Sequence, residues 1–231
     1  MTGFNTEKDK NKFKSMMKHA LNGCAIAQAN IAWAYYQGDN VTQNYEKAFY
    51  WFNKSADQGC AHAQFGLAQM HQFRRWVYQD YDKAVEWYEL ASQQGHKDAQ
   101  EQLYALYLSG EHIPQNYEKA FQWCAKAAIQ GSSQSQYNLA LMYMKGCGTP
   151  KDYKISTFWF ENAAYQGCAQ SQYNLGVFYE EGRGVDINLT KSAYWYNEAK
   201  KQGATRETQD LTCTHKSSAT KNDNLDEGLL N

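Results

Sequence analysis

Ser15-Met16-Met17-Lys18 has the Ser-x-x-Lys spacing, in which a lysine assists a serine nucleophile in acyl transfer. Neither Ser-Asp-Asn nor Lys-Thr-Gly accompanies it, and Ser15 falls in a helix remote from any expected pocket, so catalysis is not expected. The six cysteines are Cys24, Cys60, Cys124, Cys147, Cys168 and Cys213. No Cys-x-x-Cys occurs and no His pair has the spacing of a zinc-binding helix; His62 near Cys60 offers only two ligands. Neither a metal nor an organic cofactor is therefore expected. Arg74, Arg75 and Trp76 are adjacent and of the types enriched among binding anchors, which makes them a candidate contact edge.

These residues sit in a chain of 231 residues with a formal charge of −1, 43% hydrophobic and 15% aromatic. That composition supports a substantial core, and it lacks the basic face that nucleic acid demands. Residues 1–18 are polar and charged, without the apolar run of a signal peptide or a membrane span. The expectation is a soluble cytoplasmic monomer that binds neither nucleic acid nor membrane, although secretion without a cleaved signal would leave no mark.

The organisation is repetitive. Gly23, Gly59, Gly95, Gly131, Gly167 and Gly203 recur every 36 residues, as do Trp51, Trp87, Trp123, Trp159 and Trp195. Gln28, Gln64, Gln100, Gln136 and Gln172 keep the same step. So do Tyr45, Tyr81, Tyr117 and Tyr153, with Leu189 in the fifth place. A fixed period of this length marks stacked supersecondary units, each unable to cover its own apolar face.

Each unit reads as two helices. Ala27, Ile31, Ala34 and Tyr35 share one helical face, and Gly38 follows where a helix should stop. Ala48, Trp51, Phe52 and Ala56 form the second helix, which Gly59 ends. Pro114 and Pro150 fall in the same column of the turn between the helices, where proline is tolerated. The small residues Ala27, Ala63, Ala99, Ser135 and Ser171 let helices approach closely. Five units follow, at residues 24–59, 60–95, 96–131, 132–167 and 168–203. Residues 11–23 align with a second helix and form a half-repeat cap after a flexible stretch at 1–10. Residues 204–211 read as a decayed capping half-helix, and residues 212–231 as a disordered tail.

Ala27-Gln28, Ile31, Tyr35 and Gly38, followed by Lys47-Ala48, Trp51-Phe52, Lys54, Ala56 and Gln58-Gly59, resemble the SEL-1-like repeat. Ser171-Gln172-Tyr173-Asn174-Leu175-Gly176, Tyr179, Gly182-Arg183-Gly184-Val185 and Trp195-Tyr196 resemble it more closely still. The resemblance covers residues 11–203. It implies an all-α, right-handed α/α superhelical solenoid related to tetratricopeptide arrays, acting as a protein-binding adaptor or scaffold. It leaves open an immunity or inhibitor protein that caps a toxin or enzyme, a secreted effector engaging host proteins, and, remotely, a β-lactam-binding or hydrolysing enzyme. Unlike the secreted, cysteine-rich members of that family, this sequence is not expected to staple its units. Cys24 and Cys60 share a column whose neighbours should lie roughly 8–10 Å apart, beyond the ~7 Å that a disulfide spans, which fits a reducing compartment. Unit two departs from the pattern: His71 and Arg74 replace Tyr and Gly, and the first helix is expected to run on or its loop to kink differently.

By analogy with other two-helix solenoids, the first helices line the concave side. The columns of Ala29, Trp33 and Tyr36 lie off the hairpin core and are apolar through the units: Trp33, Tyr36, Phe65, Leu108, Tyr137, Leu141, Met144, Tyr173 and Val177. Asn30, Gln102, Asn138 and Asn174 interleave as hydrogen-bonding groups. Such a groove suits an extended peptide or a partner helix. The alternative is that these side chains pack on the helices of the next repeat.

Overall fold

The computed structural model describes residues 7–204. Eleven helices and no strand occupy these described residues. Helix α1 (Glu7–Leu21) stands alone ahead of five hairpins. The hairpins are α2 (Ala25–Gln37) with α3 (Tyr45–Ala56), α4 (Ala61–Gln72) with α5 (Tyr81–Gln93), and α6 (Lys97–Ser109) with α7 (Tyr117–Ile129). They continue as α8 (Ser133–Lys145) with α9 (Tyr153–Tyr165) and α10 (Ala169–Glu181) with α11 (Leu189–Lys201). Helix α1 begins at Glu7. The expected tail at 212–231, and all but the first residue of the expected half-helix at 204–211, lie outside the described residues.

Each first helix packs on the second helix of its own hairpin, and each second helix packs on the first helix of the next. This is an all-α repeat solenoid. Its core is continuous in kind but divided into three clusters, centred on α2 to α4, on α4 to α8, and on α8 to α11. Phe52, Tyr88 and Phe160 fill equivalent or neighbouring places in those clusters and are fully buried.

Helix ends explain the period. Asn44, Asp80, Asn116, Asp152 and Asn188 form a column that periodicity alone did not single out. Each has extended backbone and accepts the backbone N–H three residues on, at 2.9–3.0 Å. Such an N-cap contributes about 1 kcal/mol to its helix. Gly38, Gly110, Gly146 and Gly182 end the first helices in the left-handed conformation, where a side chain would be strained.

The glutamine column is a hydrogen-bonded ladder. Gln58, Gln94, Gln130, Gln166 and Gln202, at the ends of the second helices, each donate to the buried glutamine of their own unit at 2.7–2.9 Å. Gln28, Gln100, Gln136 and Gln172 also donate backwards, to the carbonyls of Ala20, Ser92, Ala128 and Ala164 in the preceding helix. One buried amide therefore ties three successive helices. Without those partners its burial would cost about 1–3 kcal/mol.

Unit two corrects the expectation of a longer helix or a different kink. Helix α4 stops at Gln72, and the left-handed turn is kept by non-glycine residues, Arg74 at φ 52° and Trp76 at φ 72°. Trp76 stands in the column of Gly148 and Gly184, whose φ values are 67° and 72°. At Gly148 an added Cβ would lie 2.0 Å from the Tyr117 carbonyl oxygen. The residue corresponding to Tyr117 in unit one is Tyr45, so the Trp76 loop must stand off the start of α3. Trp76 is accordingly 59% exposed.

Candidate protein-binding groove

Helix α2 is apolar nearly all round and mostly enclosed by neighbours, with Ile26, Asn30 and Gln37 exposed. It touches α1, α3 and, directly, α4. The α2–α4 approach accounts for part of the apolar columns: Trp33 of α2 packs on His62 and Phe65 of α4. Ala29, Phe65, Tyr137 and Leu141 are buried, and Tyr137 and Leu141 belong to the core cluster shared with α9 and α10. Leu108 and Val177 are half-buried. The candidate groove is therefore narrower than three full columns, and its accessible aromatic and apolar residues are Trp33, Tyr36, Leu108, Met144, Tyr173 and Val177, all half-buried.

Three hollows border the first helices; one of about 350 Å³ lies between α1 and α2 beside Asn30 and Trp33, and the other two join successive units. The larger, of about 580 Å³, is built from three successive first helices: Trp33 and Tyr36 of α2, His62, Phe65 and Gln69 of α4, and Asp98, Glu101 and Gln102 of α6. Trp33 holds the seam between the first two units. Its ring lies 5.1 Å from Phe52, 5.2 Å from both Tyr36 and His62, and 6.0 Å from Phe65. The smaller hollow, of about 250 Å³, joins Met144, Tyr173, Val177, Glu180, Glu181, Arg183 and Tyr196. Tyr173 lies 5.3 Å from Tyr196, whose hydroxyl donates to Glu180 at 2.7 Å, and Arg183 pairs with Glu181.

A histidine pair edges the larger hollow. The backbone N–H of Ala99 donates to Nδ1 of His96, which caps α6. That bond leaves the proton of neutral His96 on Nε2, 3.4 Å from Nδ1 of His62. Phe65 stacks on His96 at 4.6 Å. Burial lowers the pKa of both imidazoles; Asp98 opposes the shift, and His62 adds to it at His96. Both rings are therefore neutral near pH 7.

The three residues of the unit-two loop divide. Arg75 is exposed but lies along the protein surface, 5.3 Å over the Tyr45 ring and hydrogen-bonded to Tyr36. Arg74 and Trp76 are exposed, beside exposed Phe73 and Tyr78. Sequence reasoning did not reach Asp98 or Glu101, because an acidic pair one turn apart on a helix reads as ordinary solvated surface.

Ser15 and Lys18 are exposed on α1. Lys18, unlike Ser15, borders a hollow of about 310 Å³ with Phe13, Met17 and Leu21, so the serine and the lysine share no cleft. Among the described residues no group of three or more His, Cys, Asp and Glu side chains could hold a metal ion. Cys24, Cys60, Cys124 and Cys168 are free thiols, as the column spacing required. Cys147 is disulfide-bonded. No helix among the described residues is long and apolar enough to cross a membrane.

A solenoid of capped helical hairpins defines the class of helical-repeat proteins. The Sel1 repeat model matches residues 25–60, 61–96, 99–132, 133–168 and 169–203, and the chain belongs to the Sel1 repeat family. Sel1 repeat proteins are generally protein-interaction scaffolds. The chain is similar to a protective antigen of uropathogenic Escherichia coli that displays an SLR fold, at 32% identity and a TM-score of 0.76. That match covers 83% of this chain but only 41% of the E. coli protein. A Sel1 repeat protein from Oxalobacter formigenes is 31% identical with a TM-score of 0.65, over 78% of this chain and 71% of that one. An immunity protein of Pseudomonas aeruginosa is 22% identical with a TM-score of 0.42, over 78% and 66% of the two chains, too distant to bear on function. Among curated proteins none matches the chain.

Proposed function

We propose that this protein is a non-catalytic scaffold that holds an extended segment of a partner protein along the inner face of its first helices. The observation that carries the reading is the hollow of about 580 Å³ assembled from α2, α4 and α6. It presents aromatic rings and free amide side chains side by side, the combination that suits an extended peptide. Trp33, Tyr36, Met144 and Tyr173 supply the apolar contacts, while Asn30, Gln69, Gln102 and Asn138 can bond the partner's backbone.

A photo-crosslinking amino acid placed at Gln69 or Gln102 tests this against the same group at Gln122 of α7 and Lys154 of α9, both on the exposed face of second helices. Partner adducts should form from the groove positions and disappear in a Trp33→Ala, Tyr173→Ala variant that keeps its helical spectrum. Adducts formed only from Gln122 and Lys154 would refute the reading.

A second mode, in which the protein caps a partner with a broader surface as an inhibitor would, is favoured by one feature. Phe73, Trp76 and Tyr78 expose large rings outside the groove, at 48%, 59% and 88%. Arg74 stands among them. Loss of partner binding in Trp76→Ala, with the groove variants unaffected, would select this mode.

A further inference from the structure

The walls of the larger hollow differ in chemistry. Helices α2 and α4 contribute the rings of Trp33, His62 and Phe65, and α6 contributes the carboxylates of Asp98 and Glu101. No lysine or arginine lines the hollow. Asp98 and Glu101 form no ion pair with any described residue. Arg75, which hydrogen-bonds Tyr36, is not among the lining residues. Glu101 is held in place through one oxygen only: Oε1 accepts from Ser132 Oγ at 2.5 Å and from Ser135 Oγ at 3.1 Å. Oε2 keeps its acceptor capacity. Exposed Asp98 and anchored Glu101 thus line one hollow of about 580 Å³ together with the rings of Trp33, His62 and Phe65.

Rings attract a cation through their faces, and carboxylates neutralise it; a guanidinium stacks and forks to both. Resting on the proposed peptide-binding role of the groove, we infer that this hollow receives an arginine side chain of a basic partner segment, its stem along Trp33 and its guanidinium between Asp98 and Glu101. Neutral His62 and His96 leave the site without a competing positive charge at pH 7; protonation below that would add one.

The test uses the full chain and end-capped, fluorescein-labelled nonapeptides that differ only at the centre: Leu-Arg-Leu, Leu-Gln-Leu or Leu-Glu-Leu in a Gly/Ser frame. Fluorescence anisotropy should show the arginine peptide binding at least tenfold tighter than the glutamine peptide, and the glutamate peptide weakest. Asp98→Asn and Glu101→Gln, separately and together, should bring the arginine and glutamine peptides within twofold of each other. Trp33→Ala should weaken the arginine peptide. Acidifying from pH 7.5 to 5.5 should weaken the arginine peptide and spare the glutamine peptide. Equal binding of all three peptides, lost in Trp33→Ala, would overturn the arginine assignment while leaving the groove reading in place. Binding of none of them would overturn the assignment too, and the crosslinking positions would then decide the groove reading separately.

Discussion

Gln58 donates its side-chain amide to Oε1 of Gln28 at 2.7 Å, and Gln28 donates in turn to the Ala20 carbonyl at 3.0 Å. The same relation recurs one unit at a time, so a column that looks like sequence decoration is the polar spine of the array. Stability in such an array is a sum of unit and interface terms. The ladder contributes to both, because all five buried amides bond within their hairpins and four of them, all but Gln64, also bond across to the previous helix.

The spine predicts the effect of removing one rung. Gln100→Leu takes the partner from the Ser92 carbonyl and from Gln130. The expected loss is about 1–3 kcal/mol, read as a lower urea midpoint. Gln122→Leu, on the exposed face of α7, should stay within about 0.5 kcal/mol of the parent protein. Equal midpoints for the two variants would show that the ladder adds nothing.

The period, the paired helices and the glycine stops were legible because each depends on residue type at a fixed spacing. Gln28 and Gln64 were visible as a column, but their partners were not, since Gln58 meets Gln28 across 30 residues through folding and not through local pattern. The N-capping column from Asn44 to Asn188 alternates Asn with Asp, which hides it from a search for identity although either side chain accepts the same bond. The groove was legible only in part. Trp33 and Phe65 share an apolar column face, yet one is half-buried and the other buried, because helix-to-helix spacing within the inner layer decides exposure and periodicity carries no such distance.

Unit two offers a gain instead of a loss. Arg74 and Trp76 hold left-handed backbone without being glycine, at roughly 1–2 kcal/mol each. Arg74→Gly and Trp76→Gly should each raise the melting temperature, by about 2–4 °C per kcal/mol recovered in a protein of this size. If the exposed loop is a contact edge, Trp76→Gly should also weaken partner binding while it stabilises the fold. A fall in melting temperature for both variants would show that their side chains contribute more than their backbone strain removes.

The glycines are not equivalent. Gly131 has φ 84° and open space where a Cβ would go, whereas a Cβ at Gly148 would strike the backbone oxygen of Tyr117 at 2.0 Å. Gly131→Ala should therefore cost about 1–2 kcal/mol, the backbone penalty alone. Gly148→Ala should cost more, because a carbonyl at the start of a helix cannot swing aside and the loop must lift from it. Chemical denaturation of the two variants side by side measures the difference. Equal losses would mean that the loop yields freely.

The histidine pair makes stability depend on pH in a defined direction. His62 and His96 have folded-state pKa values below the ordinary 6.5, set mainly by burial. The folded protein then binds fewer protons than the unfolded chain in the window just below 6.5. The contribution of these neutral rings is complete above that value and is lost progressively as the pH falls through it towards the depressed folded values. Protonating Nδ1 of His96 would also remove the acceptor that caps Ala99 and place a positive charge at the start of α6, the unfavourable end of the helix dipole. His96→Ser supplies the control, because Ser132 occupies the same column and caps α8 through its hydroxyl at 3.2 Å. The parent protein should lose melting temperature between pH 7.5 and 5.5. His96→Ser should keep its capped helix and show a smaller loss, the remainder belonging to His62 and to His71, whose pKa burial also lowers. An unchanged loss in His96→Ser would place the titrating groups elsewhere in the molecule.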